Sequence, residues 1–172
     1  MKVLFLDIDG VLNSHRSAYA FGGFPFDVDK HRNRFDEVAV SLIRNVAKAS
    51  GAQIVLSSSW RTDKDWERIG HGLNLPITDR TPDMHPGPRG AEIAAWLADH
   101  PEVECYAIVD DDPDMLDEQK PYFVQTRHED GLSYADANKL AELLGCTSSD
   151  VLRINRPDGQ RGPSGVEGTK NG

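Results

Sequence analysis

Redox and zinc signatures are scarce in this chain. It has two cysteines in 172 residues, Cys105 and Cys146, and neither belongs to a CxxC pair or a Cys/His cluster. Its six histidines show no zinc-ligand spacing. No zinc site is therefore expected, and the cysteines are expected as reduced thiols rather than a disulfide. Long apolar runs are also missing. The opening Met-Lys-Val-Leu-Phe-Leu turns acidic at Asp7, too early for a signal peptide or a membrane span, so the expected location is the cytoplasm with no membrane partner. Positive charge is in deficit, with 19 Lys and Arg against 28 Asp and Glu, a formal net charge of −9 and a pI near 5.0. Such a chain is a poor general binder of DNA or membranes, and no stable nucleic-acid complex is expected.

What remains is ordinary globular material: 38% hydrophobic and 27% charged residues, enough for one domain over residues 1–154. Val3 to Leu6, Gln53 to Leu56, Cys105 to Val109 and Tyr122 to Gln125 read as short buried strands. Between them lie helix patterns. Asp36 caps one that carries Ala39, Leu42, Ile43, Val46 and Ala47 and stops at Gly51. Thr62 is the expected cap of a second, with Trp66 and Ile69 inward. A third carries Ile93, Trp96 and Leu97 and ends before Pro101, and Ser133 caps a last one with Ala137, Leu140, Ala141 and Leu144. A further short strand is placed near Ile77, and 81–90 reads as a Pro/Gly loop. Residues 13–35 have no clear period and read as an irregular flap. Residues 155–172 hold five glycines and two prolines and are expected to be a disordered tail.

Alternating strands and helices predict an α/β fold, a parallel sheet with helices on both faces. Ligands then bind beyond the carboxyl ends of the strands. Three strands end in polar side chains: Asp7 and Asp9, Ser57 and Ser58, Asp110 and Asp111. Two carboxylates two residues apart point the same way at an extended strand end. One can attack phosphorus while the other moves protons, and Gly10 lets the chain turn away; an acidic turn is the plainer reading. Hydroxyls and amides at Ser57 and Ser58 can hold phosphoryl oxygens, or merely cap a helix. Successive carboxylates at Asp110 and Asp111 repel unless a cation such as magnesium sits among them; solvated turn residues are the alternative.

These segments resemble the haloacid dehalogenase (HAD) superfamily of phosphohydrolases. Asp7, Asp9 and Gly10 match its first motif, Asp-x-Asp-Gly after an apolar strand; Ser57 matches the second, and Asp110 with Asp111 the fourth. The resemblance implies a Rossmann-like HAD fold and a Mg2+-dependent phosphatase. Asp7 would be nucleophile and metal ligand. Asp9 would be acid/base, ligating the metal through its backbone carbonyl. Ser57 would bind the phosphoryl group, and Asp110 or Asp111 would complete the metal shell. The third-motif cation is expected at Arg89, with Arg80 as the fallback and a surface arginine as the plain alternative. The chain leaves no room for a large cap, only a minimal one in 13–35, so a bulky substrate such as a nucleotide or nucleic-acid phosphate end fits. The Ser-Trp-Arg at 59–61 and the Asp-Ile-Asp-Gly-Val-Leu-Asn opening also resemble phosphatase domains found beside RNA-repair enzymes. A small sugar or acid phosphate is the alternative substrate, and an inactive HAD-fold binding module the alternative class.

Around this site Ser58, Arg61 and Gly10 are expected to contact substrate, Arg61 as a second phosphate ligand unless it is a solvated helix-start residue. Tyr19, Phe21, Phe24 and Phe26 are expected to pack the flap onto the core, with base stacking as the alternative. His31, Arg32 and Arg34 read as an exposed turn, and Trp60, Trp66 and Trp96 as core anchors.

Overall fold

The computed structural model describes residues 1–153; the tail expected at 155–172 lies outside them. Five strands form one all-parallel sheet: β1 (Lys2–Leu6), β2 (Gln53–Leu56), β3 (Ile77–Arg80), β4 (Cys105–Asp110) and β5 (Phe123–Gln125), in the order β3-β2-β1-β4-β5. β1 is central because its strand residues Val3 to Leu6 are fully buried, hydrophobic on both faces. After β1 the chain winds to one side through β2 and β3, then returns to the other side through β4 and β5. The reversal lies between β1 and β4, where an open α/β sheet leaves a crevice for ligands.

The helices are α1 (His15–Phe21), α2 (Glu37–Ser50), α3 (Trp60–Asp63), α4 (Trp66–Leu73), α5 (Arg89–Asp99), α6 (Tyr134–Leu143) and α7 (Ser148–Arg153), with 3-10 turns at Arg32–Arg34 and Asp117–Tyr122. Strand alternation divides the core. Leu4, Leu6, Ile54, Leu56, Ala107 and Val109 face Ile43 and Val46 of α2 and Leu140 and Ala141 of α6. Val3, Phe5, Val55 and Ile108 face Ile93 and Trp96 of α5. Phe5 meets Trp96 and Tyr106 edge-on, at ring-centroid distances of 5.3 and 6.1 Å. Among the described residues no helix is long and apolar enough to cross a membrane, and both cysteines are free thiols.

Several local expectations change. The 13–35 flap is partly helical: Ser14 and Ser17 form a reciprocal capping box that starts α1, and Gly22 ends it in the left-handed conformation at φ +84°. Short polar capping signals without an apolar stripe hid this helix. Thr62 is not a cap; it lies inside α3, and Asp65 caps α4 by accepting from the Glu67 N–H at 2.9 Å. The flap aromatics do not pack inward. Tyr19, Phe21, Phe24 and Phe26 are 96, 48, 40 and 67% exposed, and the flap is anchored instead by Val28, against Gly72, and by Phe35. The turn at 31–34 is tied down, with Arg32 paired to Glu37 and Arg34 donating to the Phe24 carbonyl at 3.3 Å.

Replacing Phe5 by alanine empties the middle of the α5 layer. Urea unfolding should register a loss of about 3–5 kcal/mol, the usual cost of deleting a buried aromatic ring.

Candidate active site

The register of the sheet sets the site. Leu6 pairs with Leu56 on one side and Val109 on the other. The ladder runs one residue further, since the Asp7 N–H donates to the Val109 carbonyl (3.0 Å) and the Ser57 N–H to the Leu6 carbonyl (2.9 Å). Asp7, Ser57 and Asp110 therefore stand abreast at three adjacent strand ends, 5, 0 and 1% exposed. Gly10 folds the next loop back at φ +73°, and a Cβ there would lie 2.3 Å from the Asp111 Cγ. Only glycine lets the loops after β1 and β4 approach this closely. The Thr126 hydroxyl locks the turn by donating to the Gly10 carbonyl at 2.7 Å.

Asp7, Asp110 and Asp111 each bring a carboxylate oxygen into one group, all within 4.8 Å of one another. His128 Nδ1 lies 2.7 Å from Asp111 Oδ2, and because a carboxylate only accepts, the imidazole N–H donates. Arg89 is the first residue of α5, and its own N–H donates to Asp114 Oδ2 (2.8 Å). At Gly90 a Cβ would lie 2.5 Å from the Leu116 nitrogen, so glycine lets the start of α5 press against the loop after β4. The Arg89 side chain then reaches both carboxylates, with Nη2 3.9 Å from Asp7 Oδ1 and Nε 3.6 Å from Asp110 Oδ2. Arg89 Nη1, Ser57 Oγ and Asp110 Oδ2 are buried without a hydrogen-bond partner among the described residues.

Burial drives the electrostatics. It pushes the Asp7 carboxyl well above its ordinary range, and the Asp110 charge adds to the rise; Arg89 and a hydrogen bond from Ser58 oppose it. Asp110 is pushed up to about 7, first by burial, with Arg89 and the Asp112 N–H pulling down and Asp111 and Asp114 pushing up. Arg89 stands more than 3.5 Å from both Asp7 and Asp110, and Asp111 has His128 instead, so the buried pair is not closely balanced. The donor set is hard oxygen, buried, with one carboxylate oxygen unused. It fits a divalent cation of the magnesium type.

Asp9 stands apart. Its carboxylate is outside that group and accepts from Asn13 Nδ2 (2.8 Å, to Oδ1) and from Trp60 Nε1 (2.9 Å, to Oδ2). Asn13 is fully buried and Trp60 is 5% exposed. The sequence alone suggests a core anchor at Trp60 and no role for Asn13. The ring does pack on Phe35, at a centroid distance of 5.7 Å, but its N–H serves the site. The available signal was the pair's placement, one four residues after Asp9 and one three residues after Ser57.

Arg61 is the main correction. Its side chain is 4% exposed and all five N–H groups are committed: to the carbonyls of Ser57, Ser58, Thr81 and Pro82, and to Glu92. No donor remains for a phosphate, because the arginine closes the backbone around the end of β2. Ser58 is buried and turned toward Asp7. Arg80 donates to the Arg61 carbonyl at 2.6 Å, which leaves Arg89 as the arginine beside the carboxylates.

A family model described as the HAD domain in Swiss Army Knife RNA repair proteins matches residues 3–137, more than half of the chain. The match runs from β1 into α6 and includes all the strand ends described above. No curated protein matches.

The raised Asp110 pKa has a stability consequence for the metal-free protein. Between its ordinary 3.8 and about 7 the folded state binds more protons than the unfolded chain. Metal-free stability should therefore fall as pH rises through that window. Asp110→Asn removes this cost. In chelator at pH 8 it should melt above the wild type, by roughly 2–4 °C for each kcal/mol relieved, and the gap should close toward pH 4.

Proposed function

Because the chain belongs to the HAD-domain family of Swiss Army Knife RNA repair proteins, we propose that it is a magnesium-dependent phosphomonoester hydrolase that carries the phosphoryl group on Asp7. Its substrate in this reading is a nucleotide or a nucleic-acid phosphate end. One observation carries the proposal: Ser57 Oγ, Arg89 Nη1 and Asp110 Oδ2, from three different elements, are buried and unpaired beside Asp7. Buried polar groups are rarely left so unless a ligand completes them. The serine and arginine offer donors to phosphoryl oxygens, and the aspartate an acceptor to a cation.

An Asp7 oxygen attacks phosphorus, and the bond to the leaving oxygen breaks as that oxygen takes the Asp9 proton. Asp9, now ionised, accepts a proton from water as water attacks the aspartyl phosphate, and the Asp7–phosphorus link breaks to free phosphate. Asn13 and Trp60 hold both Asp9 oxygens and so fix the direction in which its proton points. Ser57 and Arg89 grip the phosphoryl oxygens, and Arg89 balances carboxylate charge. Magnesium, held by Asp7, Asp110 and Asp111 and by the backbone carbonyl of Asp9, would supply charge neutralisation for carboxylates and phosphate together.

A second reading, hydrolysis of a small sugar or acid phosphate, has its own support. A polar cleft of about 310 Å3 runs from Arg89 past Ser59, Thr62, Asp83, His85 and Asp114, and its hydroxyls and carboxylates suit a hydroxyl-rich leaving group. Rates on a panel of nucleotides, phosphorylated oligonucleotides and sugar phosphates separate the two.

Release of p-nitrophenol from p-nitrophenyl phosphate tests the enzyme class. Turnover should require Mg2+ and vanish in chelator, and Asp7→Asn should lower it by roughly a hundredfold or more. No phosphomonoester turned over by wild type, or an Asp7→Asn variant as active as wild type, would remove the proposal. Trp60→Phe keeps the ring and deletes the N–H. It should lower kcat by roughly tenfold with little change in KM, the worth of one hydrogen bond to a charged group.

A further inference from the structure

The exposed flap aromatics need an explanation that the catalytic residues do not supply. Phe24, 40% exposed, lies 6.1 Å from His128 in a stacked arrangement with an interplanar angle of 28°. His15, the exposed first residue of α1, meets both rings edge-on, 5.5 Å from Phe24 and 4.7 Å from His128. Two rings from the 13–35 segment meet one from the loop after β5, and each is held in place. The His15 N–H donates to the His128 carbonyl (3.2 Å), Arg34 holds the Phe24 carbonyl, and the His128 ring is fixed to Asp111. That last bond sets the cluster one side chain away from the Asp7–Asp110–Asp111 group.

We infer that Phe24, His15 and His128 form a stacking platform for the nucleobase next to the phosphate being removed, at a single-stranded nucleic-acid end. The inference rests on the phosphatase reading for where that phosphate lies. Charge decides which way the strand leaves. The polar cleft beside Arg89 carries Asp83, Asp114 and an Arg61 already neutralised by Glu92, which repels a polyanion. The 15–34 segment instead carries four Lys and Arg against two Asp; Arg16 and Arg32 are paired with Asp36 and Glu37, and Asp27 and Asp29 with Arg68, so the segment presents Lys30 and Arg34 in a chain whose net charge is −9. Aromatic faces hold bases without reading sequence, because every base has a π-face. One stacked base and one gripped phosphate also suit an acidic protein that lacks the cationic track a longer strand would need.

The test is a fluorescence titration of the full chain with a 5′- or 3′-phosphorylated oligonucleotide that carries 2-aminopurine at the phosphorylated end. Stacking quenches this base. Wild type should give a saturable quench. Phe24→Ala should weaken binding by roughly tenfold, within the usual worth of one base–aromatic stack, and Phe24→Tyr should restore it. Phe24→Leu, which keeps apolar bulk at an exposed position, should behave like the alanine variant. No quench with wild type, or an equal quench in Phe24→Ala, overturns the platform. Phosphate release from the same oligonucleotide is read separately. Quench without release keeps the platform and removes the phosphatase; release without quench does the reverse.

Discussion

Two carboxylates that repel each other lie at the centre of this molecule. Asp7 and Asp110 end neighbouring strands and are almost fully buried; burial raises the cost of ionising both, and the Asp110 charge raises it further for Asp7. A chain gains no stability from such a pair. The fold nevertheless forces the two together, because β1 and β4 pair in register up to the residue before them. The elements around them either offset that repulsion or exploit it. Arg89 brings positive charge from α5, Ser58 donates to Asp7, and the Asp112 N–H donates to Asp110 at 3.0 Å. Under the proposed function, strain of this electrostatic kind would be relieved when a cation and a phosphoryl group arrive.

Support for the site comes from residues outside the Asp7–Asp110–Asp111 group. Thr126 on the loop after β5 holds the Gly10 turn, and Asp114 fixes the first N–H of α5. Asn13 and Trp60 hold the Asp9 carboxylate from opposite sides. Except for the local Asn13–Asp9 bond, each contact joins segments far apart in sequence, and together they bring three strand ends and one helix start to one place. A parallel sheet favours this arrangement because every strand delivers its carboxyl end to the same edge.

Much of this was legible in the sequence. Apolar runs such as Val3 to Leu6 and Ile54 to Leu56 could only be buried strands, and acidic or hydroxyl residues at their ends had to share an edge once the sheet was parallel. The Asp36 and Ser133 caps were readable because a capping side chain stood before a periodic apolar stripe. What failed was tertiary. Helix α1 has no apolar stripe to reveal it, and its aromatics face solvent, so composition suggested inward packing where the structure has a surface. Arg61 shows the limit most clearly. An arginine after a strand-end serine run looks like a phosphate ligand, but its five donors close backbone carbonyls that no local pattern could assign to it. Trp60 was hidden for the same reason, since its bond to Asp9 depends on how two loops meet, whereas the Asn13–Asp9 bond is local, four residues apart.

The buried Arg61–Glu92 pair has a mechanical consequence. Arg61 grips the carbonyls of Ser57 and Ser58, while Glu92 sits one turn into the helix that begins with Arg89. The serine and the arginine proposed to hold the phosphoryl group are therefore clamped to each other through a single ion pair. That link ties the end of β2 to the start of α5 directly, without passing through the sheet. The solvent-facing rings of the 13–35 segment lie outside this clamp.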